Sequence, residues 1–223
     1  MTNRCLYVFL GVVTGLAAIP LLADDAFLGR SFDQWSEQIS STESQKRLYA
    51  AWAVAQFSAR GDNSADATQF KTLTRLVGDS DASVRYWGVQ GLAAYAQRRT
   101  DGDQKQTVAL LLPLLDDKAA APRIAAAEAL ALLGHTEKAL AVIVAAMDDA
   151  QDATRIQAAS ALERLGPAAR PAMGTLEKGT SDSSEYVKRI SERALVALGG
   201  EKPAAQPKAK GKGKAKSKTK SPL

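Results

Sequence analysis

Five stretches of this chain repeat one pattern, and that repetition constrains the fold more than any other feature. Each stretch is anchored on a basic residue: Arg47, Arg85, Arg123, Arg155 and Lys188. Three positions after the anchor stands a small residue: Ala50, Gly88, Ala126, Ala158 and Ser191. Seven after come Val54, Leu92, Leu130, Leu162 and Leu195, and ten after come Phe57, Tyr95, Leu133, Leu165 and Leu198. The last three stretches add a glycine at position eleven: Gly134, Gly166 and Gly199. The last four carry an aspartate six before the anchor: Asp79, Asp117, Asp149 and Asp182.

Offsets of three, seven and ten fall along one stripe of an α-helix, so each stretch reads as a helix with a core-facing side. The small residue lets a neighbouring helix approach. The glycine suits a helix C-terminus, where a left-handed backbone is easiest without a side chain. The aspartate suits the turn before the helix, where a carboxylate accepts from free backbone N–H groups.

A second apolar-periodic segment precedes each anchor helix, as in 70–77, 108–115 and 139–147. The unit is therefore helix–turn–helix. One such pair cannot bury its own apolar side, so successive pairs must stack. An opening helix is expected at Phe32-Asp33-Gln34-Trp35, with Ser31 as its N-cap and its aromatic side chains as a lid on the stack.

The arrangement Asp-x-x-x-x-Val-Arg, as in Asp79…Val84-Arg85…Leu92 and Asp149…Thr154-Arg155-x-x-Ala158…Leu162, resembles the HEAT repeat, including its phycobilin-lyase-type variety. The resemblance covers roughly residues 31–200. It implies an all-α fold: a right-handed α-solenoid, a HEAT-like superhelix of about five helix pairs, of the kind found in exported bacterial proteins. The pattern departs at its ends. Ser41 and Lys46 replace the aspartate and valine of the first repeat, and Lys188 replaces the last arginine. Pro122 precedes Arg123 and reads as a first-turn proline. HEAT-like repeats use the Arg/Asp column structurally, so the resemblance assigns the five anchors to stacking.

Two end segments are set apart from the repeats. Residues 1–23 read as a signal peptide: Arg4, then an uncharged apolar run from Cys5 to Leu22, then Ala23 before Asp24-Asp25. The expected location is outside the cytoplasm, as a periplasmic, envelope or secreted protein. A membrane is involved only if that segment stays attached as an anchor. Residues 201–223 hold eight lysines and one acid among Ala, Gly, Ser, Thr and Pro, and should be a disordered tail. The whole chain carries +5, the tail +7 and Arg4 +1, which leaves about −3 on residues 24–200. The single cysteine lies in the signal segment, so no disulfide is expected in the body.

The residue inventory argues against catalysis. One histidine, His135, cannot form a two-His metal site or a Cys–His nucleophile pair. The acid pairs Asp116-Asp117 and Asp148-Asp149 sit in repeat turns, where capping accounts for them. No phosphate loop or nucleophile elbow is present. No cofactor and no metal are expected, and the repeat pattern alone carries no lyase chemistry.

Binding is the expected role, with a protein or another extended ligand on the concave face. The candidate contacts are Tyr49 and Trp52 of the first repeat and Tyr86, Trp87 and Gln90 of the second, which lie off the core stripe. Later repeats carry Ala125, Glu128, Gln157 and Ser160 at the equivalent places. Two roles stand open for the aromatic residues: recognition, or packing against the lid around Trp35. The tail lysines Lys208, Lys210, Lys212, Lys214, Lys216, Lys218 and Lys220 offer a second mode, in which a polyanion (an anionic envelope polymer or a nucleic acid) is gripped by counterion release.

Overall fold

The computed structural model describes residues 26–60, 66–99 and 101–200. The signal segment 1–23 and the tail lysines lie outside the described residues. Within them the chain is helix after helix, apart from a short hairpin at the start.

Five helix pairs follow one another. The first is α1 (Phe32–Gln38) with α2 (Ser44–Arg60), and the second is α3 (Asp66–Leu76) with α4 (Ala82–Ala96). The third is α5 (Asp101–Leu111) with α6 (Ala120–Leu132), and the fourth is α7 (Thr136–Ala146) with α8 (Asp152–Leu165). The fifth is α9 (Met173–Gly179) with α10 (Glu185–Ala197). Pro113 follows α5, and the chain tightens there into a 3₁₀ turn over Leu112–Asp116; a second such turn, Gly166–Ala172, holds Pro167 and Pro171. Both fit proline's loss of a backbone donor, which ends a regular α-helix.

Successive second helices pack on one another along the whole stack: α2 on α4, α4 on α6, α6 on α8 and α8 on α10. The first helices pack on the second helices and hardly on each other. The layer whose members sit closer together is the inner one, so the five second helices form the concave wall of an α-solenoid.

The pattern of small and large residues explains the close approach. A Cβ added to Gly88 in α4 would stand 2.8 Å from the Val77 backbone nitrogen and 2.9 Å from the Leu76 carbonyl carbon. The small position therefore faces the first helix of its own pair. In α6, at the centre, every residue from Ile124 to Ala131 is buried, as a helix enclosed on all sides requires. At the end of the stack α10 is one-faced instead: Val187, Ser191, Ala194 and Leu195 are buried, while Tyr186, Arg189, Arg193 and Val196 are exposed.

Helix ends use the glycines as the sequence suggests. Gly134 and Gly199 have φ of +91° and +86°. The next residue then donates back across the turn, from His135 N to Leu130 O at 2.9 Å and from Gly200 N to Leu195 O at 2.8 Å.

The start of the stack holds an element that the helical pattern does not announce. Strands β1 (Ala26–Phe27) and β2 (Arg30–Ser31) pair antiparallel, and Leu28 and Gly29 turn between them at φ +51° and +74°. Two positive φ values in a two-residue loop match the twist of a tight hairpin. Ser31 caps α1 in a reciprocal box: its Oγ accepts from Gln34 N, and its own N–H donates to Gln34 Oε1 at 2.9 Å. The Trp35 indole N–H donates to the Phe27 carbonyl at 2.8 Å, which ties hairpin to lid. Phe27 and Phe32 then pack edge-on against Phe57 of α2, with centroids 6.4 and 5.7 Å away.

Candidate partner-binding face

The Arg/Asp column comes first, because it decides which polar groups remain for a ligand. Arg47 bonds both oxygens of Asp79 at 2.8 and 3.0 Å, and its third nitrogen reaches the Ser41 and Thr42 carbonyls. Arg85 holds Asp117 with two bonds of 2.7 Å and the carbonyls of Asp79 and Ser80. Arg155 holds Asp182 at 2.8 and 3.0 Å and the carbonyls of Asp149 and Ala150. Each arginine thus fastens its own turn to the turn of the next pair.

The aspartates differ from the sequence expectation in one respect. They do not cap the following helix directly; each accepts from the N–H two residues on, inside the turn, as Asp79 does from Asp81 N at 2.8 Å. The N-cap of α4 is Asp81, whose side chain accepts from Ser83 N. Ser41 plays the aspartate's turn role in the first repeat by accepting from Glu43 N at 3.2 Å. No repeat precedes it among the described residues, and no described arginine reaches it from an earlier turn. Lys188, with no described repeat after it, pairs with Glu185 of its own helix at 2.8 Å.

One rung stays open. Arg123 reaches the Asp117 and Lys118 carbonyls but makes no ion pair with Asp149 among the described residues. The two side chains share the lining of a shallow cavity of about 480 Å³ with Gln151, Thr154 and Gln157.

The closed rungs perturb their acids. Burial pushes the carboxyls of Asp79 and Asp117 up, but the guanidinium and turn N–H bonds outweigh it and hold both below the ordinary carboxylate value. For Asp182 the Arg155 bond is the largest influence, and the shift is again downward. These groups are locked in stacking.

The inner wall is different. Trp52 of α2 and Trp87 of α4 face one another with centroids 6.5 Å apart, and Tyr86 stands edge-on to Trp87 at 5.2 Å. Phe27 extends the row, 5.0 Å from Trp52. All three α2 and α4 rings are only partly buried. Gln90, one turn along α4 from Tyr86 and Trp87, is also partly exposed. Of the two roles left open for these residues, packing is seen at Trp52, which lies against Phe27 of the hairpin, while all three rings stay partly exposed.

Tyr49 is not part of this row. It is 51% exposed and lines a wide cavity of about 780 Å³ at the start of the stack, with Leu28, Arg30, Trp35 and Lys46. Residue 49 lies three positions before Trp52; Tyr49 borders this cavity beside Leu28 and Arg30, whereas Trp52 packs on Phe27 and Trp87.

Beyond α4 the wall turns from aromatic to charged, which the repeat pattern does not reveal. Arg164 of α8 bonds both oxygens of Glu128 of α6, at 2.5 and 2.6 Å. Arg193 of α10 does the same to Glu163 of α8, at 2.7 and 2.9 Å. Gln157 donates to the Ala121 carbonyl at 2.9 Å. Glu128 raises the pKa of Arg164 most strongly, and Tyr86 contributes, so the aromatic and charged halves adjoin. The partners lie 30 and 36 residues apart at non-equivalent repeat positions, and no sequence signal marks them.

No family model matches the chain, and no curated protein matches it. Solved structures do match in fold. A designed armadillo repeat protein, solved with the peptide (KR)4, superposes with a TM-score of 0.52 at 20% identity, over 75% of this chain and 82% of that one. An engineered protein from a structural genomics programme gives 0.51 at 21% identity, covering 75% and 78%. At these identities the likeness shows fold alone. The chain is therefore a helical repeat protein with an armadillo-like α-solenoid fold.

Proposed function

We propose that this protein is a non-catalytic binding scaffold whose concave wall holds a protein partner, with Trp52, Tyr86, Trp87 and Gln90 as the central contacts. The observation that carries this reading is the partly exposed aromatic row. The stack already has a sufficient core and a structural use for its Arg/Asp rungs, yet it leaves three large rings with an open side on the inner wall. Large rigid side chains give contact area at low entropic cost. Solenoids use such extended concave surfaces for binding, and the designed armadillo neighbour was solved with a peptide.

The place of action is outside the cytoplasm. This part of the proposal rests on the signal-like segment 1–23 and on a body, residues 24–200, that contains no cysteine. A subsidiary polyanion contact through the lysines of 201–223 is supported by the segregation of positive charge into that segment. Its affinity should fall steeply with salt.

A photo-crosslinking residue at Gln90, compared with one at Ala145 on the exposed side of α7, tests the scaffold reading. Adducts from position 90 that vanish on Trp87→Ala, with helical content unchanged, support it. Equal adducts from both positions overturn it.

A further inference from the structure

The inner wall is chemically polarised, and the geometry points to its occupant: an extended acidic peptide that lays an apolar side chain on Trp52, Trp87 and Tyr86 and its carboxylates on Arg164 and Arg193. This rests on the reading of the concave wall as the binding surface and adds the partner's chemistry.

The argument starts from which member of each inner ion pair is covered. Arg164 has 53% of its side chain exposed and Glu128 only 10%. Arg193 has 64% exposed and Glu163 29%. In both pairs the carboxylate is the more sheltered group and the guanidinium faces solvent. Each arginine spends Nε and Nη2 on its glutamate. The two N–H groups of Nη1 remain for an incoming acceptor, and a carboxylate is the acceptor a guanidinium binds best. The wall therefore offers oriented cationic donors to whatever lies on it, although its formal charge is balanced.

Position fixes the shape of the ligand. The aromatic rings lie on α2 and α4, and the guanidiniums lie on α8 and α10, with α6 between them. On α6 every side chain from Ile124 to Ala131 is buried, so it adds no exposed group of its own there. Tyr86 stands 5.2 Å from Trp87 and acts on Arg164, so the apolar and cationic parts adjoin. The matching ligand has an aromatic or other large apolar residue and, within a few residues, the first of two carboxylates.

Charge outside the wall selects the same partner. The sequence continues from Gly200, directly after α10, into a segment of eight lysines. Its positive charge attracts the same acidic partner. A nucleic acid fits less well. Its closely spaced phosphates call for a row of free cations, and each inner arginine here is already half-neutralised by Glu128 or Glu163.

The test uses the full chain and labelled peptides of about twelve residues, read by anisotropy and by Trp fluorescence. One peptide carries two leucines and, further along, two aspartates; a second has asparagines in place of the aspartates, and a third has lysines. The acidic peptide should bind about tenfold more tightly than the asparagine peptide, at up to about fivefold per exposed pair. The combined variant Glu128→Gln, Arg164→Gln, Glu163→Gln, Arg193→Gln removes both charges of each pair, so no buried charge is stranded. It should erase the preference for the acidic peptide. Trp87→Ala should weaken the acidic and asparagine peptides alike.

Tighter binding of the lysine peptide, still lost on Trp87→Ala, would overturn the acidic partner and leave the concave-wall reading standing. Acidic binding insensitive to Trp87 and to the four glutamines, but lost on replacing the tail lysines by glutamine, would overturn both. Binding of none of the peptides, or tighter binding of an oligothymidylate that the four glutamines weaken, would also overturn the acidic-peptide assignment.

Discussion

The guanidinium of Arg85 closes on the carboxylate of Asp117, in the next helix pair, through two parallel hydrogen bonds of 2.7 Å each. The same arginine holds the Asp79 and Ser80 carbonyls of its own turn. A single side chain thereby sets the spacing of two consecutive turns, and the Arg47–Asp79 and Arg155–Asp182 rungs repeat the device.

Breaking that rung should destabilise the stack without altering its helical nature. The Arg85 and Asp117 side chains are only 16% and 5% exposed. Arg85→Ala should cost about 2–3 kcal/mol, between the values for exposed and buried pairs, because it strands the Asp117 carboxylate. A denaturant series on Arg85→Ala, Asp117→Ala and the double variant checks this. The double variant should lose less than the sum of the singles, and strict additivity would contradict a coupled rung.

Acid should weaken the protein through the same groups. The carboxyls of Asp79, Asp117 and Asp182 titrate below their ordinary value of 3.8 in the folded state. A depressed folded pKa gives stability that is fully present above the unfolded pKa and is lost as pH falls through the folded values. Thermal melts should therefore show no contribution from these groups to any change between pH 5 and 7, and a steep loss below about pH 4. In a variant with all three aspartates changed to asparagine, that acid loss should shrink, at the expense of stability at neutral pH.

Gly88→Ala should be costly although the residue sits in a helix, where alanine is ordinarily the better former. The new Cβ meets backbone atoms of Val77 and Leu76 at 2.8 and 2.9 Å, and backbone does not rotate away. Overpacking of this kind costs about 1–3 kcal/mol. Gly102, in α5, has nothing within 4 Å of its added Cβ, and Gly102→Ala should be neutral or stabilising in the same assay.

Ser31→Ala removes the side-chain half of the capping box that starts α1, the bond from Gln34 N to Ser31 Oγ, and leaves the Ser31 N–H on Gln34 Oε1. A loss of about 1 kcal/mol is expected. The lid carries Trp35, so frayed lid structure should appear as a change in Trp fluorescence and faster amide exchange at Gln34 and Trp35 before global unfolding. Unchanged exchange at those amides would show that Phe32 and Trp35 alone seat the lid.

The repeat register, read from the anchors and their small, large and glycine partners, determined on its own that this chain is a stack of helix pairs and where the second helix of each pair begins. That information is local: offsets along one helix fix which side is apolar. It also carried the cap at Ser31 and the left-handed glycines Gly134 and Gly199, which are properties of a few adjacent residues. Other features were decided only by tertiary structure. The sequence could not show which rung stays open, because whether Arg123 meets Asp149 depends on how the third pair sits on the fourth. Neither could it separate Tyr49 from Trp52, since only the folded hairpin of residues 26–31 sets Phe27 on Trp52 and Leu28 and Arg30 beside Tyr49. The pairs Glu128–Arg164 and Glu163–Arg193 are likewise products of stacking: helices adjacent in space bring together non-equivalent positions of different repeats, and a pattern that repeats within one helix contains no record of that juxtaposition.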